Sequence, residues 1–139
     1  MPSASDPITS LMATEVETIR VDQLISDARR VMMKHRVHHV PVVDGYRLVG
    51  LITATDIFAL GHGATATPAR GLEDLVDHQH RVSEVMQHEL VTIGPRQDIR
   101  KAAELLSTGS FHALPVVDED GRLLGMVTTT DIARFVRDS

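Results

Sequence analysis

An α+β fold made of two β-α-β-β-α units is what this sequence predicts, on three observations. First, the chain repeats itself. His39-Val40-Pro41-Val42-Val43-Asp44 and then Arg47–Ile57 return as Ala113-Leu114-Pro115-Val116-Val117-Asp118 and then Arg122–Ile132. The offset is 74 residues up to Asp44/Asp118 and 75 from Gly50/Gly125, so the intervening turn has gained one residue. Second, each copy sets two short apolar runs on either side of a turn. Third, helical apolar spacing precedes each pair of runs and resumes after it.

The elements follow in order. A short extended piece, Val16–Ile19 or Leu90–Ile93, opens each copy. Leu24, Ile25, Ala28, Val31 and Met32 then recur at helical spacing, in a helix ending near His35; Ile99, Ala102, Ala103 and Leu106 do so in the second copy. Asp98 suits the N-cap of the second helix, whereas Leu24 holds the matching place in the first and has no capping group. Val40–Val43 and Leu48–Ile52 are joined through Asp44-Gly45, a strong hairpin signal. Leu114–Val117 and Leu123–Val127 are joined through Asp118-Glu119-Asp120-Gly121, which holds the extra residue. Thr53 and Thr128 end the strands, and Ala54–Leu60 and Thr129–Val136 read as closing helices.

These elements divide the chain into a flexible tail at 1–7, a first repeat at 8–61, a linker at 62–80 and a second repeat at 81–139. Small residues and breakers fill Gly61–Pro68, and Leu72–Val76 suits a turn or two of helix. A repeat of this size buries only about 60% of its unfolded surface alone, so the copies are expected to pack on each other.

Composition narrows the function. The 139 residues are 42% hydrophobic and 24% charged, as in a globular chain. With a net charge of −5 and 3% aromatics, the chain lacks the basic stripe and stacking rings of a nucleic-acid binder. Without cysteine there are no disulfides or thiolate sites. No run approaches the roughly 18 apolar residues of a membrane span, and the first residues lack signal-peptide features, so the expected location is the cytoplasm.

The chemistry concentrates where the repeats agree best, in Gly50-Leu51-Ile52-Thr53-Ala54-Thr55-Asp56 and Gly125-Met126-Val127-Thr128-Thr129-Thr130-Asp131. Glycine admits close approach of a backbone or ligand. The threonines lie where a strand passes into a helix, whose free N–H groups attract anions. Their hydroxyls suit phosphate or ribose oxygens, and a carboxylate can accept from vicinal ribose hydroxyls. Helix capping accounts for Thr and Asp equally well and is compatible with binding.

Pro-Val-Val-Asp, a turn, then Gly-apolar-apolar-Thr-x-x-Asp resembles the CBS domain. Two copies in register, each preceded by a methionine (Met12, Met86), resemble a CBS pair, or Bateman module. The resemblance implies repeats related by a pseudo-twofold axis, with sheets packed together, helices outside and two clefts between. It implies an adenosyl ligand (AMP, ADP, ATP or S-adenosylmethionine), with ribose on Asp56 and Asp131 and hydroxyl contacts from Thr53, Thr55, Thr128 and Thr130. Adenine would lie against Val40, Ile52, Leu114 and Val127. A His-Arg pair that contacts phosphate in related nucleotide sensors matches His38-His39, and His112-Ala113 keeps only its first member. The family also implies a flat homodimer, for which Ile57/Phe58 and Ile132/Phe135 offer apolar faces.

Arg134 stands one helical turn beyond Asp131, in reach of the same cleft, and its counterpart is Ala59. His35, His38 and His39 do not make a metal set, because a helix end and a strand separate their faces. The chain has no nucleophile elbow, P-loop or His-Glu-x-x-His motif. The reading is therefore a regulatory module rather than an enzyme, needing no cofactor and signalling ligand binding to an unidentified partner. The alternative is a ligand-free dimerising scaffold with vestigial clefts.

Overall fold

The computed structural model describes residues 2–61 and 76–139, so most of the expected 62–80 linker lies outside the described residues. Two compact units cut across the repeats: the residues through Val16 join Val91–Ser139, and Glu17–Leu90 form the other unit. The architecture is α+β, as the repeat predicts. No described helix is long and apolar enough to cross a membrane.

In the first-repeat unit, β1 (Ile19–Arg20) lies parallel to β2 (His39–Asp44), with Ile19 opposite Val42. β2 pairs antiparallel with β3 (Arg47–Thr53), from His39 opposite Thr53 to Asp44 opposite Arg47. Gly45 and Tyr46 form the loop between, with Gly45 at φ 65°, a conformation glycine adopts without a Cβ penalty. α1 (Ile25–His35) turns Ile25, Ala28 and Met32 inward, onto Ile19, Val40, Val42 and Ile52. α2 (Ala54–Gly61) follows β3 directly.

Leu24 cannot cap α1, and two carboxylates act instead. Asp27 Oδ2 accepts the Leu24 N–H at 2.9 Å. Asp77, in the helical turn α3 (76–79), accepts the Ser26 N–H at 2.9 Å and the Ser26 hydroxyl at 2.5 Å. A carboxylate distant in sequence thus meets the free N–H groups of a helix start, where negative charge is favoured. α4 (Val82–Val85) then completes the core with Val82 and, just beyond it, Met86.

In the second-repeat unit, α5 (Ile99–Leu106) precedes the antiparallel pair β4 (Ala113–Val117) and β5 (Leu123–Thr128), and α6 (Thr129–Asp138) closes the chain. The expected opening strand is reduced to Ile93, bridged to Val116. The cause is local: Val21 N–H donates to the Val43 carbonyl at 3.0 Å, but its counterpart is Pro95, which has no N–H. The extra turn residue is absorbed at Asp118, whose Oδ1 accepts from the N–H groups of Asp120 and Arg122, each at 2.9 Å.

Residues 4–7, expected as part of a flexible tail, are held in place. The Ile99 and Arg100 N–H groups, the first two of α5, donate to the carbonyls of Asp6 (3.0 Å) and Ala4 (2.9 Å). Asp98 Oδ1 caps the third, that of Lys101, at 2.9 Å, as its position predicts. The N-terminal segment therefore supplies acceptors that a helix start requires. Ile8, in a 3₁₀ turn (Ile8–Ser10), is fully buried with Ile93, Ile99, Leu106, Leu114 and Val127.

Candidate functional site

The two strand-to-helix junctions fold alike, each inside its own unit. Thr53 Oγ1 accepts the Asp56 N–H at 3.1 Å, and Asp56 Oδ2 accepts the Thr53 N–H at 3.0 Å. At the second junction the corresponding bonds, between Thr128 and Asp131, are 3.2 and 2.8 Å. These are reciprocal capping boxes with Asp in the third position. Capping is thus the resting occupation of both threonines and both acids. A carboxylate has about four lone-pair positions, so one capping bond leaves acceptor capacity.

The segments before β2 and β4 are tied to the same corners. Ala54 N–H donates to the His38 carbonyl, and Thr129 N–H to the His112 carbonyl, each at 2.9 Å. His38 is thereby brought beside Thr53–Asp56, and His112 beside Thr128–Asp131. Of the first three helix N–H groups, those of Thr55 and Thr130 find no acceptor among the described residues. Each stands beside its own threonine hydroxyl, on an exposed residue. The corner thus offers an N–H donor, a hydroxyl, a half-buried carboxylate and an exposed imidazole.

Other expected site residues fall differently. Val40, Ile52, Leu114 and Val127 are each 0% exposed, inside the two cores. They present no surface to an adenine ring, a correction to the expected wall. Along these strands the expected positions are the ones turned into the protein. His39 is half-buried in β2, opposite Thr53. Arg134 is exposed on α6, one turn past Asp131, and Ala59 holds the matching place on α2. Among the described residues no three His, Asp or Glu side chains gather as a metal site would need.

The motif glycines admit the protein's own chain. A Cβ on Gly125 would stand 2.5 Å from the Ala13 carbonyl oxygen and 2.8 Å from Met12 Sδ. A Cβ on Gly50 would collide with Met86 Sδ and stand 3.1 Å from the Gln87 carbonyl oxygen. Ala13 and Met126 exchange both backbone hydrogen bonds (2.9 and 3.0 Å), as do Gln87 and Leu51 (2.8 and 3.1 Å). Gln87 is the one corner residue that sequence reasoning missed: its Nε2 donates to Asp56 Oδ2 at 3.4 Å. The only signal was its place directly after Met86, one of the paired methionines.

The CBS domain model matches residues 8–63 and 82–138. The chain belongs to the CBS domain family. As a CBS pair it is 35% identical over 126 residues to the CBS domain-containing protein YhcV of Bacillus subtilis, covering 91% of this chain and 82% of that one. It is 34% identical over 132 residues to a homoserine O-acetyltransferase of Methanohalobium evestigatum, but 94% of this chain spans only 24% of that enzyme. Among solved structures, protein MJ1225 of Methanocaldococcus jannaschii matches with TM-score 0.82 and 27% identity, covering 96% of this chain and 49% of that one. The CBS pair of protein MJ0100, solved with 5′-methylthioadenosine and S-adenosylmethionine, matches with TM-score 0.77 and 25% identity, covering 96% and 97%. CBSX2, solved with AMP, matches with TM-score 0.78 and 24% identity, covering 95% and 96%. The last likeness is one of fold.

Proposed function

We propose that this CBS pair is a regulatory module that binds an adenosyl compound (AMP, ADP, ATP or S-adenosylmethionine) and signals its presence to a partner protein. The observation that carries the reading is the polar corner built twice, with an open N–H and hydroxyl beside a carboxylate that retains acceptor capacity. The adenosyl ligands of MJ0100 support the ligand class. Asp56 and Asp131 would accept from ribose hydroxyls. Thr53, Thr55, Thr128 and Thr130 would contact ribose or phosphate, with His38, His39, His112 and Arg134 around the phosphates. The clefts between repeats implied by the family belong to this reading, as does a cytoplasmic setting. So does a regulatory rather than catalytic role, since ligand recognition here needs no nucleophile or cofactor. A ligand shifts the module only through unequal affinity for two arrangements.

A thermal-shift panel of AMP, ADP, ATP, S-adenosylmethionine and NAD tests it. Ligand at a hundred times its dissociation constant adds about 2.7 kcal/mol, a shift of several degrees. Asp56→Ala and Asp131→Ala are expected to reduce that shift, each measured from its own unliganded baseline, because losing a cap itself costs about 1 kcal/mol. No shift with any of the five compounds overturns the adenosyl reading.

The capping boxes favour a second reading, in which the motif residues serve the fold alone and the pair is a dimerising scaffold. Of the apolar residues expected at a dimer contact, Ile57, Ile132 and Phe135 pack against the cores, whereas Phe58 is 74% exposed. Sedimentation showing a dimer that Phe58→Asp dissociates, together with an inert ligand panel, would favour the scaffold.

A further inference from the structure

The two corners differ at one place that no repeat motif marks. Beside Asp56 stands Gln87, whose backbone is locked to Leu51 by two hydrogen bonds and whose neighbour Met86 fills the hollow over Gly50. Its side-chain amide donates to Asp56 Oδ2, the oxygen that already accepts the Thr53 N–H. In the second unit the same place, locked to Met126 by the same pair of bonds, is held by Ala13. Alanine has no side-chain donor, so nothing from that position reaches Asp131.

We infer that Gln87 is an internal competitor for the first motif acid and grades the two sites: ligand hydroxyls meet an Asp56 that carries the Gln87 bond besides its capping bond, and an Asp131 that carries the capping bond alone. The inference rests on the adenosyl reading above, and it assigns the tighter site to the second repeat. At 3.4 Å the Gln87 bond is longer than the usual N–H···O distance of about 2.7–3.2 Å and is weak, so a ligand displaces it at modest cost. Gln87 is exposed and its amide is free to turn aside, which makes the effect one of degree rather than of blockage.

The test isolates each site. In an Asp131→Ala background only the first corner keeps its acid; in an Asp56→Ala background only the second does. Calorimetric titration with AMP, ATP and S-adenosylmethionine, each alone, is expected to show that Gln87→Ala tightens the first site. Displacing a long, solvent-exposed hydrogen bond of this kind corresponds to about a three- to tenfold change in dissociation constant. Ala13→Gln is expected to weaken the second site by a similar factor. A ligand-free readout accompanies it: the Gln87 side-chain amide NMR signals should move on Asp56→Ala and stay in place on Asp131→Ala.

Gln87→Ala that leaves the first site unchanged, or weakens it, overturns the inference and in the second case makes Gln87 a ligand contact. Amide signals indifferent to Asp56→Ala overturn it as well. If the unmodified protein binds none of the three compounds, the adenosyl reading itself falls. That outcome is distinct, because it appears before any Gln87 or Ala13 variant is made.

Discussion

Ile8→Ala is expected to destabilise the second-repeat unit by about 2–5 kcal/mol, the range for truncating a buried isoleucine. In a thermal melt the loss corresponds to on the order of 10 °C. The size follows from full burial: Ile8 has 0% exposure and packs on residues from α5, β4 and β5. The 3₁₀ turn that carries it is also fastened by Ile8 N–H donating to the Gln97 carbonyl at 2.7 Å. A chain in which Ile8 belonged to a loose tail would melt unchanged, so an unaltered transition would refute the described packing. Hydrogen exchange adds a regional check, because protection in α5 should fall further than protection in α1.

The second large effect is Gly125→Ala, and its contrast with Gly50→Ala is the informative part. At Gly125 the nearest obstacle to a Cβ is the Ala13 carbonyl oxygen, 2.5 Å away, and that oxygen is fixed by the Met126 N–H. Backbone must move, and overpacking of this kind costs about 1–3 kcal/mol, or more where two hydrogen bonds are strained together. At Gly50 the nearest obstacles are Sδ and Cγ of Met86, a buried but unbranched side chain that can adjust its rotamer, and the nearest backbone atom, the Gln87 carbonyl oxygen, stands farther off at 3.1 Å. Gly50→Ala should therefore cost clearly less than Gly125→Ala in denaturant titrations. Equal losses would show that the glycines are constrained by something other than the segments lying over them.

How much of this was legible depends on the range of the interaction. The hairpins, the four longer helices and the Asp98 cap are written in local patterns: alternation, helical spacing and residues with one strong turn preference. The repeat further marked Thr53, Asp56, Thr128 and Asp131, and all four meet at helix starts. What no local pattern encodes is pairing between distant segments. The carbonyls of Ala4 and Asp6 serving α5, Asp77 serving α1 and Gln87 reaching Asp56 join residues with no periodicity in common. Val40, Ile52, Leu114 and Val127 were misplaced for a related reason: an apolar residue on a motif strand reads the same whether it lines a pocket or fills a core.

Because residues through Val16 pack with Val91–Ser139, the second-repeat unit is assembled from two stretches that are not contiguous in the chain, whereas Glu17–Leu90 is one continuous stretch. During synthesis the first of the two stretches leaves the ribosome well before its companion exists. Ile8 and Met12 are made before the residues of α5, β4 and β5 that they pack against. A gene fragment cut at the sequence repeat, beginning near Arg81, would omit the strap over Gly125 and the carbonyls that receive the α5 N–H groups. Conversely, a short peptide carrying residues 2–16, added to such a fragment, is the natural missing piece for its reconstitution.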